Sequence, residues 1–321
     1  MSPSEAVVPE KSGNSTDLVL NESKDGDREE GAELSVTKDV ASPENRWLTV
    51  YWLHFSAFWF MFIQGIVYAA VDVDLAVEPT AGFQVYCDST ITSNDCGGTW
   101  DRTPAIQKLP DQNPIWLMPF FVLLAAADHL VTFLYATYYE ESAKFWLYTV
   151  GSNPFRWIEY SISASAMVWG ITVLVGIHDV HMLLLITTMT MLGMFLGFII
   201  EIIPKEDSPE IEKQTYLSFS TIRHLVYTIA AMCIFLPWLN IMCYFFQSAA
   251  RPESEMPDFV YGAFLGTLIL FIAFGVNSYC HNILKLYDFE TAEIVYLSLS
   301  FTAKTFLAAD VFGGLRGASN D

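Results

Sequence analysis

The sequence predicts an all-α membrane protein, a seven-transmembrane-helix rhodopsin-like bundle in outline, on three observations. The 321 residues are 53% hydrophobic and 16% charged, with a mean hydropathy of +0.35, whereas a soluble chain carries about a quarter charged residues. Much of the charge lies at the start, where residues 1–47 hold 11 of the 36 Asp and Glu and 5 of the 16 Lys and Arg. From Trp47 onward, apolar runs of the roughly 20 residues that span a bilayer recur seven times. The net charge of −20 and pI near 4.5 exclude a nucleic-acid partner as the natural reading. Five cysteines in this length are too sparse for a disulfide scaffold.

Residues 1–46 are rich in Ser, Glu, Asp and Gly and read as a disordered acidic tail. No apolar run follows a basic start, so they do not read as a signal peptide. The seven helices are placed at 47–71, 115–139, 153–177, 181–203, 219–246, 258–284 and 290–314. Residues 317–321 form a short C-terminal tail, and 47–316 the membrane domain. The one long connection, 72–114, predicts structure of its own, and alternating Thr, Val and Tyr around 83–92 predict a small β-hairpin. Cys87 and Cys96 in this loop are either a disulfide or two free thiols. Near the helix ends, Lys38, Arg46, Lys144, Lys205, Lys213 and Lys285 fall on the N-terminal side, against Arg102, Lys108, Arg251 and Arg316 on the other. That excess predicts a cytoplasmic N-terminus and an extracytoplasmic C-terminus and long loop. The sequons at Asn14 and Asn21 then stay unmodified.

An ionisable side chain inside a spanning helix is costly and marks function by default. Lys304, in EIVYLSLSFTAKTFLAADVF, sits near the middle of the seventh helix, too deep to snorkel. Two readings stand: a structural ion pair, or an amine poised for a Schiff base with an aldehyde. The third helix supplies a partner at similar depth, Glu159 in NPFRWIEYSISASAMVWG. Ser163, at i+4, shares its face and can hydrogen-bond it. Arg156, at i−3, is a second charge partner or an interfacial anchor. Ser300, at i−4 from Lys304, shares the lysine's face. Glu201, Glu293 and Asp310 lie toward helix ends and are expected to be interfacial and reached by solvent.

The strings RWIEYSISAS around Glu159 and SLSFTAK before Lys304 resemble the heliorhodopsins, and the resemblance extends over about residues 45–316. It implies all-trans retinal covalently bound at Lys304 as a protonated Schiff base, with Glu159 as counterion and Ser300, Ser163 and Tyr160 alongside. It also implies an inverted orientation, a lipid environment, a homodimer and an as yet unidentified signalling partner. His54 and His129 resemble the histidines of the family's polar, proton-accepting cavity by helix and approximate depth, with Asp128 beside them, although each histidine taken singly reads more readily as a hydrogen-bonded core residue. No catalytic residue and no metal site is expected.

The departures narrow the function. Proton pumps of the related rhodopsin branch carry a second acid 10 or 11 positions after the one on the third helix. Here those positions are Trp169 and Gly170, and Ser300 stands where pumps place an Asp. The expected function is therefore a light receptor with a slow photocycle. A light-gated passive conductance along Asp128, His129 and His54 is the alternative. A G-protein-coupled receptor is the reading from another class, and it lacks an NPxxY string and an Asp/Glu-Arg-Tyr string.

Overall fold

A computed structural model describes residues 43–71, 80–86, 102–108, 114–204, 218–251 and 256–318. Seven long helices run in chain order: α1 (Pro43–Ala70), α2 (Leu117–Tyr138), α3 (Pro154–Leu174), α4 (Val180–Ile202), α5 (Phe219–Ala249), α6 (Asp258–Ser278) and α7 (Phe289–Ala318). A five-residue helix, Glu140–Lys144, and a π-helical turn, Phe145–Val150, join α2 to α3. A second π turn, Tyr279–Ile283, extends α6.

The helix ends follow from local chemistry. Asn153 caps α3, its side chain accepting from the Arg156 amide, and Pro154 occupies the first turn, where its missing N–H costs nothing. Asp179 and Ser218 cap α4 and α5 in the same way. The break between α3 and α4 falls at Gly176, whose φ of 97° suits a residue without a Cβ.

In the first long connection, β1 (Thr80–Tyr86) pairs antiparallel with β2 (Arg102–Lys108), Thr80 opposite Lys108 and Tyr86 opposite Arg102. The sequence centres the ribbon on 83–92. The strands instead flank residues 87–101, which lie outside the described residues together with Cys87 and Cys96. The acidic tail to residue 42 and the sequons at Asn14 and Asn21 also lie outside them.

Around the bundle α1 packs on α2, α2 on α3, α3 on α4 and α4 on α5, while α7 packs on α6 and closes back on α1 and α2. Helices α5 and α6 meet through aromatic rings: Phe245 stacks on Phe264 with centroids 4.0 Å apart, and Trp238 meets Phe271 at 5.2 Å. The core is built from buried Met61, Phe121, Val168, Ile171, Phe264 and Leu307. Large apolar side chains such as Trp59, Ile63, Leu185, Met232, Phe235 and Ile269 face outward, as they do where the solvent is lipid.

Six of the seven long helices are apolar and long enough to cross a membrane. The exception is α3, which carries Arg156, Glu159 and several serines, and 14 of its 21 residues are buried. It packs between α2 and α4 with its polar residues turned inward and Ile158 and Ile162 facing out. The arrangement fits an integral, multi-pass membrane protein.

Candidate functional site

Along α7, Glu293, Tyr296, Ser300 and Lys304 recur at steps of three and four, so one face of the helix carries them all inward. Lys304 is 2% exposed and Glu159, facing it from α3, is 4% exposed. Lys304 Nζ donates to Glu159 Oε2 at 2.9 Å and lies 2.8 Å from Oε1. It also donates to Ser300 Oγ at 2.7 Å. The Tyr160 ring stands 5.0 Å from Nζ and offers its negative face. Tyr160 in turn donates its hydroxyl to the Tyr296 carbonyl at 3.0 Å.

The amine borders empty space. A small cavity of about 20 Å³ touches Lys304, Ser300, Ser163 and Ala303. It shares Tyr160, Met194, Phe271 and Phe274 with a larger cavity of about 360 Å³. The larger one is framed by Trp157 of α3, Gly193 and Gly197 of α4, Ile234 and Trp238 of α5, and residues of α6. Its walls are almost wholly apolar, and its size falls within the roughly 300–1,000 Å³ usual for small-molecule sites. At Gly197 an added Cβ would lie 2.3 Å from the Trp157 ring, so the glycine lets that indole fit.

The sequence expects Ser163 to hydrogen-bond Glu159. In the structure its hydroxyl makes no such bond; it is buried, faces the small cavity and has no protein partner. A buried amine with one carboxylate, an unused hydroxyl and an adjoining apolar cavity together fit a hydrophobic aldehyde such as retinal.

A second polar cluster lies toward the end of the bundle where α1 begins. Arg156 turns away from Glu159 and pairs with Glu201 of α4 at 2.6 Å and with Glu293 of α7. Glu201 also accepts from Trp157 Nε1 at 2.6 Å and Ser152 Oγ at 2.8 Å, and Glu293 from Asn153 Nδ2 at 2.7 Å. The guanidinium lies 4.3 Å from the centre of the Tyr296 ring. These carboxylates correct the sequence expectation: Glu201 is 1% and Glu293 2% exposed, enclosed and paired instead of interfacial. Their position near helix ends suggests solvent, but their faces of α4 and α7 point inward onto Arg156. Asp310 is half-buried, close to Gly262 of α6.

His54, Asp128 and His129 come together as a third group. His54 Nδ1 lies 3.0 Å from His129 Nδ1, and Asp128 Oδ2 lies 3.8 Å from His129 Nδ1. His54 Nε2 is 3.9 Å from Glu293 Oε1, which joins this group to the second cluster. Among the described residues no cluster of His, Cys, Asp and Glu is placed to hold a metal ion.

The heliorhodopsin family model matches residues 50–315, which is most of the chain. The chain belongs to the heliorhodopsin family. It is therefore a retinal-binding, light-responsive membrane protein, and the family implies retinal held covalently by a lysine. Lys304 is the one lysine within the seven long helices of this heliorhodopsin. No curated protein matches the chain. Among solved structures it is similar to a light-driven proton pump from Leptosphaeria maculans, at 11% identity, over 84% of this chain and 94% of that one, with a TM-score of 0.44. That likeness is too slight to carry an argument.

Proposed function

We propose that this heliorhodopsin is a light receptor and not an enzyme or a pump, with all-trans retinal carried as a protonated Schiff base on Lys304. The observation that carries this reading is the buried Lys304 amine, held against the Glu159 carboxylate beside an apolar cavity. Retinal bound there supplies the visible chromophore. The chain's own residues do the rest. Glu159 holds a positive charge at Nζ, and Ser300 offers that nitrogen a second polar contact. Tyr160, Phe271 and Phe274 line the way into the larger cavity and exclude water from it.

The same residues speak against pumping. A pump needs groups that release the nitrogen's proton to one side and restore it from the other, within hydrogen-bond reach or one water away. Trp169 and Gly170, about three helical turns beyond Glu159, have no side chain acidic enough to give a proton. The proton returns from the side it left, recovery is slow, and the long-lived state suits signalling to a partner. In this reading the chain is a homodimer with its N-terminus in the cytoplasm.

The test is expression with all-trans retinal. Wild type is expected to gain a visible absorption band that Lys304→Ala abolishes. A colourless wild-type protein with retinal present overturns the reading.

A further inference from the structure

The helices around the large cavity pack in two pairs, α4 along α5 and α6 along α7. The α6–α7 contact interdigitates. Phe306 of α7 lies against Gly266 of α6, and Phe259 of α6 lies against Gly314 of α7, so neither glycine has room for a Cβ. Between α5 and α6 lies a thinner seam. Its middle and the end where α6 begins are joined by rings, Trp238 with Phe271 and Phe245 with Phe264 and Tyr261. Toward the other end the two helices share the cavity wall, with Tyr227 and Ala231 on α5 and Gly275 and Ser278 on α6.

At that other end, where α5 begins and α6 finishes, polar side chains close the seam. Tyr227 donates its hydroxyl to the Gly275 carbonyl at 3.1 Å, and its ring meets that of Tyr279 at 5.2 Å. One turn earlier, Arg223 is 3% exposed and donates to the Asn282 carbonyl at 3.5 Å. It also donates to the carbonyls of Ile203, at 3.3 Å, and Pro204, where α4 ends. We propose that Tyr227 and Arg223 form a latch that holds the α6–α7 pair against the α4–α5 pair in the dark, and that its re-forming sets the lifetime of the light-activated state. The timing role rests on the receptor reading above; the latch itself does not.

The latch grips a segment suited to two arrangements. The end of α6 winds as a π turn, in which the Leu284 N–H donates to the Tyr279 carbonyl, five residues back, at 3.0 Å. Such turns are rare and recur at functional positions. Here their carbonyls are held from outside. The Asn277 carbonyl accepts from the Tyr287 hydroxyl at 3.2 Å, and Asn277 Nδ2 donates to the Ala292 carbonyl of α7 at 3.3 Å. Those bonds lie within the α6–α7 pair and travel with it. The bonds from Tyr227 and Arg223 cross the seam, so they are the ones a relative movement breaks. Tyr227, Gly275 and Ser278 border the cavity of about 360 Å³, so the end of α6 can shift without prising open a close-packed core. Phe271 and Phe274 wall both that cavity and the small one at Lys304. A change at Lys304 therefore meets α6 within about one turn of Gly275.

The test compares Tyr227→Phe, which loses only the hydroxyl, with Tyr261→Phe at the opposite end of the same seam. Hydrogen–deuterium exchange is read by mass spectrometry in the dark on the retinal-free protein. In Tyr227→Phe the peptide covering residues 272–286 is expected to exchange faster by up to about fivefold, the weight of one hydrogen bond. In Tyr261→Phe it is expected to exchange as in wild type. Losing the latch weakens the dark arrangement relative to the activated one, so the return should slow. In the retinal-loaded protein, flash photolysis should show the longest-lived intermediate of Tyr227→Phe decaying more slowly by a similar factor, with Tyr261→Phe unchanged. Unchanged exchange in Tyr227→Phe, or an equal rise in Tyr261→Phe, overturns the latch. Faster exchange with an unchanged decay overturns its timing role. A wild type that stays colourless with retinal overturns the receptor reading and the timing role with it, while the exchange measurement still decides the latch.

Discussion

The two buried ionic sites of this molecule differ in charge balance and in the space beside them. Lys304 and Glu159 are one cation against one anion, next to an apolar cavity of about 360 Å³. Arg156 is one cation against two anions, which an asparagine, a serine and an indole also hydrogen-bond, and that serine and asparagine border a cavity of about 200 Å³. The first pairs one ammonium directly with one carboxylate beside the space a hydrophobic ligand would fill. The second sets two enclosed carboxylates against a single guanidinium. The two lie about 16 Å apart along α7, from Glu293 to Lys304, at 1.5 Å per residue. One helix face therefore carries residues of both ionic sites.

The largest expected effect comes from breaking the unbalanced site. Arg156→Gln leaves Glu201 and Glu293 facing each other without a cation. Removing one partner of a buried ion pair costs roughly 3–5 kcal/mol, and here two acids are stranded at once. The thermal midpoint of the detergent-solubilised protein should fall steeply. Adding Glu293→Gln to Arg156→Gln should recover part of the loss, because it removes one stranded charge. Recovery absent from that double-mutant cycle would mean that Arg156 acts through packing on Tyr296 and not through charge.

A smaller and more local effect is expected at the balanced site. Glu159→Gln keeps the shape but removes the negative charge closest to Lys304 Nζ, while Ser300 still accepts from it. In the retinal-loaded protein the visible band should move and bleach partly at neutral pH, with little loss of fold. An unchanged spectrum would assign the counterion role to another acid, Asp128 being the next candidate.

The contrast between the sites also explains how much the sequence discloses. The helices are legible because seven apolar runs are separated by polar or glycine-marked breaks, and the predicted 181–203 and 258–284 lie within a few residues of α4 and of α6 with its π turn. Lys304 and Glu159 are legible because a lone charge deep in an apolar helix has no surface to reach. Glu201 and Glu293 are not, since an acid within a turn or two of a helix end looks alike whether it snorkels or turns inward. A signal is present: Glu293, Tyr296, Ser300 and Lys304 form one stripe, and Glu201 lies in GFIIEII with apolar neighbours on both sides. The sequence misplaces the ribbon because alternation marks a strand but not its partner, and β2 lies some twenty residues further along the chain.

The smallest expected effect tests the residue that touches both regions. Tyr160 borders both cavities of the retinal site, presents its ring to Lys304 and bonds through its hydroxyl to the Tyr296 carbonyl, beside Arg156. Tyr160→Phe removes only the hydroxyl. The Tyr296 carbonyl lies within α7, where the helix's own ladder can still satisfy it, so no acceptor is stranded. The cost should sit near the about 1 kcal/mol net worth of a single hydrogen bond, a shift of a few degrees or less in the thermal midpoint. The visible band should hardly move, because the aromatic face toward Nζ is retained. Tyr160→Leu removes that face as well and opens the wall shared by the two cavities, so it should shift the band where Tyr160→Phe does not. If Tyr160→Phe alone shifts the band as much as Tyr160→Leu, the hydroxyl couples the two ionic sites electrically, and the contrast between them as separate sites fails.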